Sequence, residues 1–339
     1  MVTVNLTTTD SIPDLHRQMQ QLLVKSIAPS THLQYKSAFH RYHKFCLLHN
    51  LPHATSQYEN NLMLYATHLS NTTSYSYIKI NLSAIKHFNI LTGQVLPSLP
   101  RLYLLLRGIK RMQGNAHARP KRQPITPLIL LQLHQFLQRA HITEANKRML
   151  WAAFTTAFFG FLRASEFVAP TTKTFSHSQT LMYEDVTMAA TCALIKIKCS
   201  KTDPFSQECI IRLPPTKSTL CPMSALYHHL ATHPNKRGPL FTYSNGTFLT
   251  RRRLNSLLKT ALTPSNNKPV SSHSFRIGAA TTAAAAGFPR WLIQQLGRWN
   301  SDCFRTYIQI PDHTIDNVAT LLCRVPNPTI TFDPDLLSI

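Results

Sequence analysis

Residues 272–311 gather basic and aromatic side chains around a run of alanines. His273 and Arg276 are three positions apart, which places both side chains on one face of a helix begun by Ser271 or Ser272. A guanidinium fork beside an imidazole suits an oxyanion such as phosphate. The spacing therefore predicts an anion site at this helix, although the same pair could form a hydrogen-bonding patch on the surface.

Two more cations stand at positions where they could do chemistry. Arg163 ends a long apolar helix in the stretch FFGFLRASEF, where its guanidinium needs a partner, either Glu166 or an anionic ligand. Lys201 lies in the turn CSKTDPFSQ between two predicted strands, where a lysine is ordinarily just solvated. Taken singly, neither residue requires a catalytic role.

The elements that must position these residues are predicted to form two domains in a mainly α protein. A flexible N-terminus, residues 1–20, precedes an all-helical domain over residues 21–115, and residues 116–124 form a basic linker rich in proline. Residues 125–325 are predicted to be an α+β domain, because the runs TLMYEDVTM, ALIKIKCS and ECIIRLPP are typical of a small antiparallel sheet between helices. Residues 326–339 form a C-terminal tail.

The alanine run has a structural interpretation. Small side chains over residues 279–286 permit close approach between helices, so this segment is expected to be a packed scaffold for the polar side chains around it. The residues expected to face the core there are Phe275, Ile277, Trp291, Leu292 and Leu296.

Charge is the strongest signal in the composition, with 36 lysines and arginines against 14 acidic residues and a net charge of +22. Residues 1–124 and 125–339 each have a net charge of +11. Such an excess predicts a polyanionic partner, although a merely basic surface is the alternative, and nucleic acid is favoured over a membrane because no basic amphipathic helix with a bulky apolar face stands out. Two domains that are each this basic suit a clamp that closes around double-stranded DNA. The residues expected to contact DNA are Lys36, Lys44, Lys79, Lys86, Arg107, Lys110, Arg111, Arg119, Lys121, Arg122, Arg251, Arg252, Arg253 and Arg290.

Other classes of protein lack support in the sequence. The seven cysteines form no C-x-x-C pair and no zinc-type spacing with histidine, so we expect reduced thiols and no metal or other cofactor. The 17 histidines are irregularly spaced, which argues against a zinc module. No apolar run reaches the roughly 18 residues of a membrane span, and the N-terminus lacks a signal pattern. We expect an intracellular, soluble protein.

The basic residues Arg163, Lys201, His273 and Arg276 are followed along the chain by LGRW at 296–299 and by Tyr307. Taken in this order, they resemble the tyrosine recombinase (phage integrase) family. The phrase LGRWNSDCFRTYI is most similar to recombinases of eukaryotic mobile elements of the Crypton and DIRS/Ngaro kinds, which implies a nuclear location. The resemblance covers nearly the whole chain, since the first helical domain is similar to that family's SAM-like core-binding domain. The motifs that carry it are Arg163 within LRASE, Lys201 in a hairpin turn, His-x-x-Arg at 273–276, LGRW at 296–299, and Tyr307.

The resemblance implies a site-specific recombinase or integrase that needs neither metal nor ATP. Tyr307 would attack a DNA phosphorus and form a 3′-phosphotyrosine. Arg163 and Arg276 would clamp the non-bridging oxygens. Lys201 would protonate the leaving 5′-oxygen, and His273 would either assist proton transfer at Tyr307 or orient it.

One position departs from the family pattern. The family usually has a histidine, sometimes a tryptophan, nine residues before the nucleophile; here that residue is Arg298, and Trp299 follows it. Arg298 could donate a hydrogen bond to the phosphate through its guanidinium, and Trp299 could donate through its indole N–H. Both residues are therefore candidates for the catalytic site.

The resemblance also implies an assembly, with a dimer on each DNA site and a tetramer when two sites are joined. A C-terminal segment would pass to a neighbouring copy or fold back on its own domain. Two alternatives stay open: a type IB topoisomerase-like enzyme, which uses a similar site but cuts one strand without pairing two sites, and a domesticated DNA-binding protein without catalysis.

Overall fold

The computed structural model describes residues 11–52, 55–114, 120–198, 208–262 and 268–309. Arg119, Lys201 and the C-terminal tail lie outside the described residues. The chain divides into two compact units, an N-terminal unit of residues 1–119 and a C-terminal unit of residues 120–339.

The N-terminal unit is built from helices. A 3₁₀ turn, Thr55–Gln57, precedes the third of them. The second helix packs most extensively against the fourth, and the third helix packs against the fifth. The helices are α1 (Ile12–Val24), α2 (Pro29–Leu48), α3 (Tyr58–Ser70), α4 (Tyr75–Leu91) and α5 (Pro100–Gln113).

Residues 12–20, which the sequence analysis assigns to the N-terminal segment, lie in α1. The helix has a local cause: the Ser11 hydroxyl accepts a hydrogen bond from the Asp14 backbone N–H, and a proline occupies the first turn. None of its residues is buried. The start of α1 therefore depends on capping rather than on packing.

Helix α5 is held at both ends by side chains of its own unit. The Glu59 carboxylate accepts from the Leu102 backbone N–H at 3.0 Å. The Gln113 side chain accepts from the Tyr75 N–H at 2.8 Å and donates to the carbonyl of Thr73 at 2.8 Å. These bonds fix α5, whose exposed basic residues are Arg101, Arg107, Lys110 and Arg111.

The C-terminal unit combines helices with one sheet. Two 3₁₀ turns, Tyr183–Asp185 and Asp302–Tyr307, complete it. The elements are α6 (Pro127–Arg139), α7 (Glu144–Phe159), α8 (Ala164–Phe167), β1 (Val186–Met188), β2 (Ala193–Ile197), β3 (Cys209–Leu213), α9 (Pro222–Ala231), α10 (Arg251–Leu262), α11 (His273–Ala285) and α12 (Arg290–Leu296).

The three strands form one antiparallel sheet in the order β1-β2-β3. Ile195 in the central strand lies opposite Val186 on one side and Ile211 on the other. Alternate residues of β2 are buried, as a half-buried strand requires, whereas Lys196 between them is exposed. The predicted fold class, mainly helical with a small antiparallel sheet, is confirmed.

Helix α11 packs against α7 through the small residues of the alanine run. Phe275 is fully buried, with its ring 5.5 Å from that of Phe154 in α7, and Ala280 is also fully buried. The prediction that Trp291 and Leu296 face the core is wrong, because their side chains are 64% and 38% exposed. Helix α12 has only about two turns, and it buries Ile293 instead.

At Gly278, the backbone of another segment lies in close contact with α11. The chain just before α6 crosses the helix there, and the Ile125 N–H donates to the Ser274 carbonyl at 3.0 Å. A Cβ atom on Gly278 would lie 1.8 Å from the Ile125 carbonyl oxygen. Only a residue without a side chain fits, so this crossing depends on glycine.

We expect Gly278→Ala to lower the free energy of unfolding of the C-terminal unit by about 1–3 kcal/mol, the usual cost of overpacking a core. Thermal unfolding followed by calorimetry measures it. The matched control is Gly108→Ala in the interior of α5, where a new Cβ meets nothing within 4 Å. That control should stabilise its helix by about 0.5–1 kcal/mol. Equal stability of the Gly278→Ala variant and the wild type would contradict the close crossing.

Candidate active site

Arg163 lies at the turn between α7 and α8. Helix α7 ends at Phe159 and is capped by Gly160, and Phe161 follows with a left-handed φ of 50°. Arg163 then precedes α8, and the Glu166 carboxylate accepts from both its backbone N–H at 2.8 Å and its Nη1 at 2.9 Å. Glu166 is thus the partner of the Arg163 guanidinium, one of the two alternatives that the sequence allowed.

Arg276 is the largest fully buried side chain of the described residues. Its Nη1 donates to the Phe161 carbonyl at 2.5 Å, and its Nη2 donates to the Gly297 carbonyl. Its Nε is buried and has no protein partner among the described residues. Two carbonyls from separate loops therefore fix the guanidinium plane and leave N–H groups available for a ligand.

Tyr307 closes the 3₁₀ turn that follows α12. Its ring centroid lies 5.1 Å from the His273 ring, and its ring lies 5.9 Å from the Arg276 guanidinium carbon. The Thr281 hydroxyl of α11 donates to the Tyr307 carbonyl at 3.2 Å and accepts from the Gln309 N–H at 3.1 Å. Helix α11 thus contributes the imidazole and the guanidinium and also holds the backbone of the tyrosine.

Trp299 fills the space between Arg276 and Tyr307. The guanidinium carbon of Arg276 lies 4.2 Å from the indole centroid, a cation–π distance, and the Tyr307 ring centroid is 5.2 Å away. Trp299 is 5% exposed, and its Nε1 is buried without a protein partner in the described part of the chain. A Cβ atom on Gly297 would overlap the indole at 1.7 Å, so glycine is required two residues before it.

The Arg298 side chain reaches the turn between α7 and α8. Its backbone has a left-handed φ of 53°, which is rare for a residue with a side chain. Nη1 donates to the Gly160 carbonyl at 3.0 Å, and Nη2 donates to the Phe161 carbonyl at 3.3 Å and to Glu166 Oε2 at 2.9 Å. Glu166 is therefore shared between Arg163 and Arg298.

The site is strongly electropositive. Burial and the charge of Arg163 lower the pKa of Arg276 to about 9, and Glu166 opposes this shift. Burial, with the charges of Arg122 and Arg276, lowers the pKa of His273 to about 4. His273 is neutral at pH 7 as a result, whereas Arg276 stays charged. An anion bound here would relieve the repulsion between the cations and raise both pKa values.

Gln309 connects the segment after Tyr307 to the start of the C-terminal unit. Its side-chain Nε2 donates to the Arg122 carbonyl at 2.7 Å, and the neighbouring Gln123 N–H donates to the Pro269 carbonyl at 3.0 Å. Nothing in the sequence pattern pointed to Gln309. Sequence reasoning named Glu166 only as a partner for Arg163 and missed its second bond to Arg298.

The residues expected to contact DNA differ in their surroundings. Arg122 and Arg251 lie near enough to His273 for their charges to lower its pKa. Arg253 instead packs its guanidinium 5.2 Å from the Tyr243 ring centroid and donates to the Thr247 hydroxyl at 2.7 Å. The predicted general acid, Lys201, lies outside the described residues, and so does Arg119.

In the described ranges, no group of three or more His, Cys, Asp or Glu side chains is arranged to hold a metal ion. A search of the helices in those same ranges found none with the length and apolar character to cross a membrane.

Comparison with known proteins gives matches in structure. A scan against protein-family models and a search of curated proteins gave no match. The XerH site-specific recombinase, in a post-cleavage complex with a palindromic difH substrate, matches with a TM-score of 0.57 at 14% identity, over 84% of this chain and 77% of that chain. The integrase of transposon Tn1549, in complex with a circular intermediate DNA, matches with a TM-score of 0.55 at 14% identity, over 90% and 99% of the two chains.

A dimer of lambda integrase bound to a COC′ core site matches with a TM-score of 0.54 at 13% identity, over 87% of this chain and 94% of that chain. Identities this low establish similarity of fold alone. The match extends over most of both chains in all three cases. The chain therefore has the fold of the tyrosine recombinases.

Proposed function

We propose that this protein is a site-specific DNA recombinase or integrase that cuts and rejoins DNA through a 3′-phosphotyrosine at Tyr307. The observation that carries the proposal is the convergence of Arg163, His273, Arg276 and Tyr307, which come from three separate segments of the C-terminal unit. The structural neighbours bound to DNA support the same class.

The proposed reaction exchanges one phosphoester for another. The Tyr307 oxygen attacks the phosphorus and forms a bond to the 3′ side of the strand, while the bond to the 5′-oxygen breaks. The phenolic proton passes toward His273, which can accept it because the imidazole is neutral at pH 7. Lys201 supplies a proton to the leaving 5′-oxygen. The bond energy stays in the protein–DNA link, so ATP is not needed.

Charge on the pentavalent phosphorus would be balanced by Arg163 and Arg276. The fork of Arg276 needs little reorganisation, because the carbonyls of Phe161 and Gly297 already fix its plane. Preorganised donors of this kind stabilise a transition state more than mobile ones, because no free energy is spent on orienting them during the reaction. The guanidinium groups would thus do the work that metal ions do in other phosphoryl transfer enzymes.

We propose double-stranded DNA as the partner, because both halves of the chain carry a net charge of +11. The exposed basic residues of α5 would face the duplex from the N-terminal unit. One structural neighbour is a dimer on its core site, which supports a dimer on each DNA site. The tetramer that we propose for two joined sites rests on the resemblance of the motifs alone. The LGRW motif favours a recombinase encoded by a nuclear mobile element of the Crypton or DIRS/Ngaro kind.

The decisive experiment selects bound fragments from random DNA and then builds a nicked suicide substrate from the selected site. A covalent protein–DNA complex that survives denaturant is the expected result. Joining of two sites distinguishes a recombinase from a topoisomerase-like enzyme, which would relax supercoils without pairing sites. Binding without any covalent complex would contradict catalysis and leave a DNA-binding protein.

We expect DNA affinity to fall by about 10³–10⁵ between 50 and 200 mM salt, the loss for a protein that makes about 6–10 phosphate contacts. Binding titrations at several salt concentrations measure the slope. Replacing two exposed cations of α5, Arg107→Gln with Arg111→Gln, should reduce that slope by about 2. A nearly flat dependence on salt would contradict an electrostatic interface.

A further inference from the structure

We infer that Arg298, the residue nine positions before Tyr307, is a positioning residue that acts through Glu166, and that Trp299 donates the hydrogen bond to the phosphate. The inference rests on the proposed function. It assigns separate roles to two neighbouring residues that the sequence alone left as equivalent candidates.

The hydrogen bonds of Arg298 are directed at the protein. Nη1 donates to the carbonyls of Gly160 and Leu296, and Nη2 donates to the Phe161 carbonyl and to Glu166. Four N–H directions of the guanidinium are therefore occupied, and its charge is balanced by a carboxylate. Only Nε is left, and it is buried without a partner among the described residues. A phosphate beside Tyr307 would have to compete with this whole set.

Trp299, in contrast to Arg298, has a side-chain donor that no described group of the protein uses. Its indole contacts both the Arg276 guanidinium and the Tyr307 ring, so it lies beside the two groups that we propose act on the phosphate. Its Nε1 is the indole's one N–H donor, and it has no acceptor in the described part of the protein. A buried donor without an acceptor costs free energy, which a phosphate oxygen would recover. The indole is thus prepared for an acceptor that only the substrate brings.

The backbone explains how neighbouring residues take separate roles. The left-handed φ of Arg298 turns its side chain toward the α7–α8 turn, while Trp299 turns toward α11. Gly297 permits the turn, because any side chain there would overlap the indole. A left-handed conformation costs a residue with a Cβ some stability, and the contacts of Arg298 with Glu166 and three carbonyls offset that cost.

The role of Arg298 follows from how Glu166 divides its two oxygens. Oε1 accepts from Arg163 Nη1 at 2.9 Å, and Oε2 accepts from Arg298 Nη2 at 2.9 Å. Glu166 is 3% exposed, so its charge would otherwise be balanced by Arg163 alone. With Arg298 as second partner, Glu166 can hold Arg163 in place while positive charge remains for the substrate.

A double-mutant cycle on the cleavage rate tests the inference at saturating DNA. We expect Arg298→Met to slow single-turnover cleavage about 10- to 100-fold, and to add less than about threefold when Glu166→Gln is already present, because both changes act on Arg163. Trp299→Phe should slow cleavage about 10- to 1,000-fold and to the same degree in both backgrounds. A loss from Arg298→Met that is undiminished beside Glu166→Gln would overturn the assignment, since it would mean that Arg298 acts independently of Glu166. A Trp299→Phe variant as fast as the wild type would overturn it as well.

The matched control is Arg305→Met in the same loop, where the arginine pairs with Asp302 on the surface. Its rate should stay within about threefold of the wild type, because exposed ion pairs contribute little. Thermal unfolding supplies a readout without catalysis: Arg298→Met and Glu166→Gln should each lower Tm, and the double variant should lose less than their sum. Additive Tm losses would contradict the ion bridge. Absence of a covalent complex in the wild type would contradict the proposed function instead, and the Tm cycle would still decide the bridge.

Discussion

Tyr307→Phe is expected to abolish the covalent protein–DNA complex while DNA affinity stays within about twofold of the wild type. The change removes a single oxygen, the proposed nucleophile, and leaves the ring that contacts His273 and Trp299. DNA affinity should persist because it depends mainly on the basic surface. The covalent complex is measured on a nicked suicide substrate by denaturing electrophoresis, and affinity is measured by anisotropy.

The matched control is Tyr227→Phe, because the Tyr227 side chain is 61% exposed on α9 and its ring contacts that of the neighbouring His228. That variant should form the covalent complex at the wild-type rate. Persistence of the complex in Tyr307→Phe would show that another of the eleven tyrosines is the nucleophile. Loss of DNA binding in Tyr307→Phe would instead point to a structural role for the hydroxyl.

Arg276→Lys should slow single-turnover cleavage by about 10²–10³ or more, the range for losing a preorganised donor. A lysine retains the charge but lacks the planar fork, so it cannot bond to the carbonyls of Phe161 and Gly297 and present further N–H groups to a phosphate. The measurement is the cleavage rate at saturating DNA, so that weaker binding is not mistaken for slower chemistry.

Arg276→Lys should also lower the free energy of unfolding by about 1–3 kcal/mol, because the fully buried guanidinium bonds to two carbonyls that a lysine cannot reach together. Cleavage must therefore be assayed well below the variant's own Tm. Arg139→Lys, at an exposed position at the end of α6, is the matched control and should cleave like the wild type. A wild-type rate for Arg276→Lys would mean that charge alone, rather than the fork, is what the site requires.

Local patterns in the sequence were sufficient for the fold class. The alternation of apolar residues and lysines in ALIKIKCS has the period of a half-buried strand, and β2 forms there. The spacing of His273 and Arg276 matches one face of a helix, and α11 begins at His273. Both inferences use interactions within a few residues, which is why they do not need the tertiary structure.

Short-range patterns were insufficient where the partner is distant. Helix α12 could bury either Trp291 or Ile293, and both lie in an apolar segment. Packing against the rest of the C-terminal unit selects Ile293 and leaves Trp291 exposed. A helix of about two turns has too little periodicity for the sequence to select a face.

The sequence by itself determined the elements, the order of the candidate residues and the excess of positive charge, because these depend on local spacing and composition. Only the tertiary structure decided where Arg298 and Trp299 point. The Glu166 carboxylate that binds Arg298 lies 132 positions earlier in the chain, and the left-handed φ that turns Arg298 toward it has no signature in the sequence. Arginine fits either role chemically, so its assignment depends on which acceptors the folded chain brings within hydrogen-bonding distance.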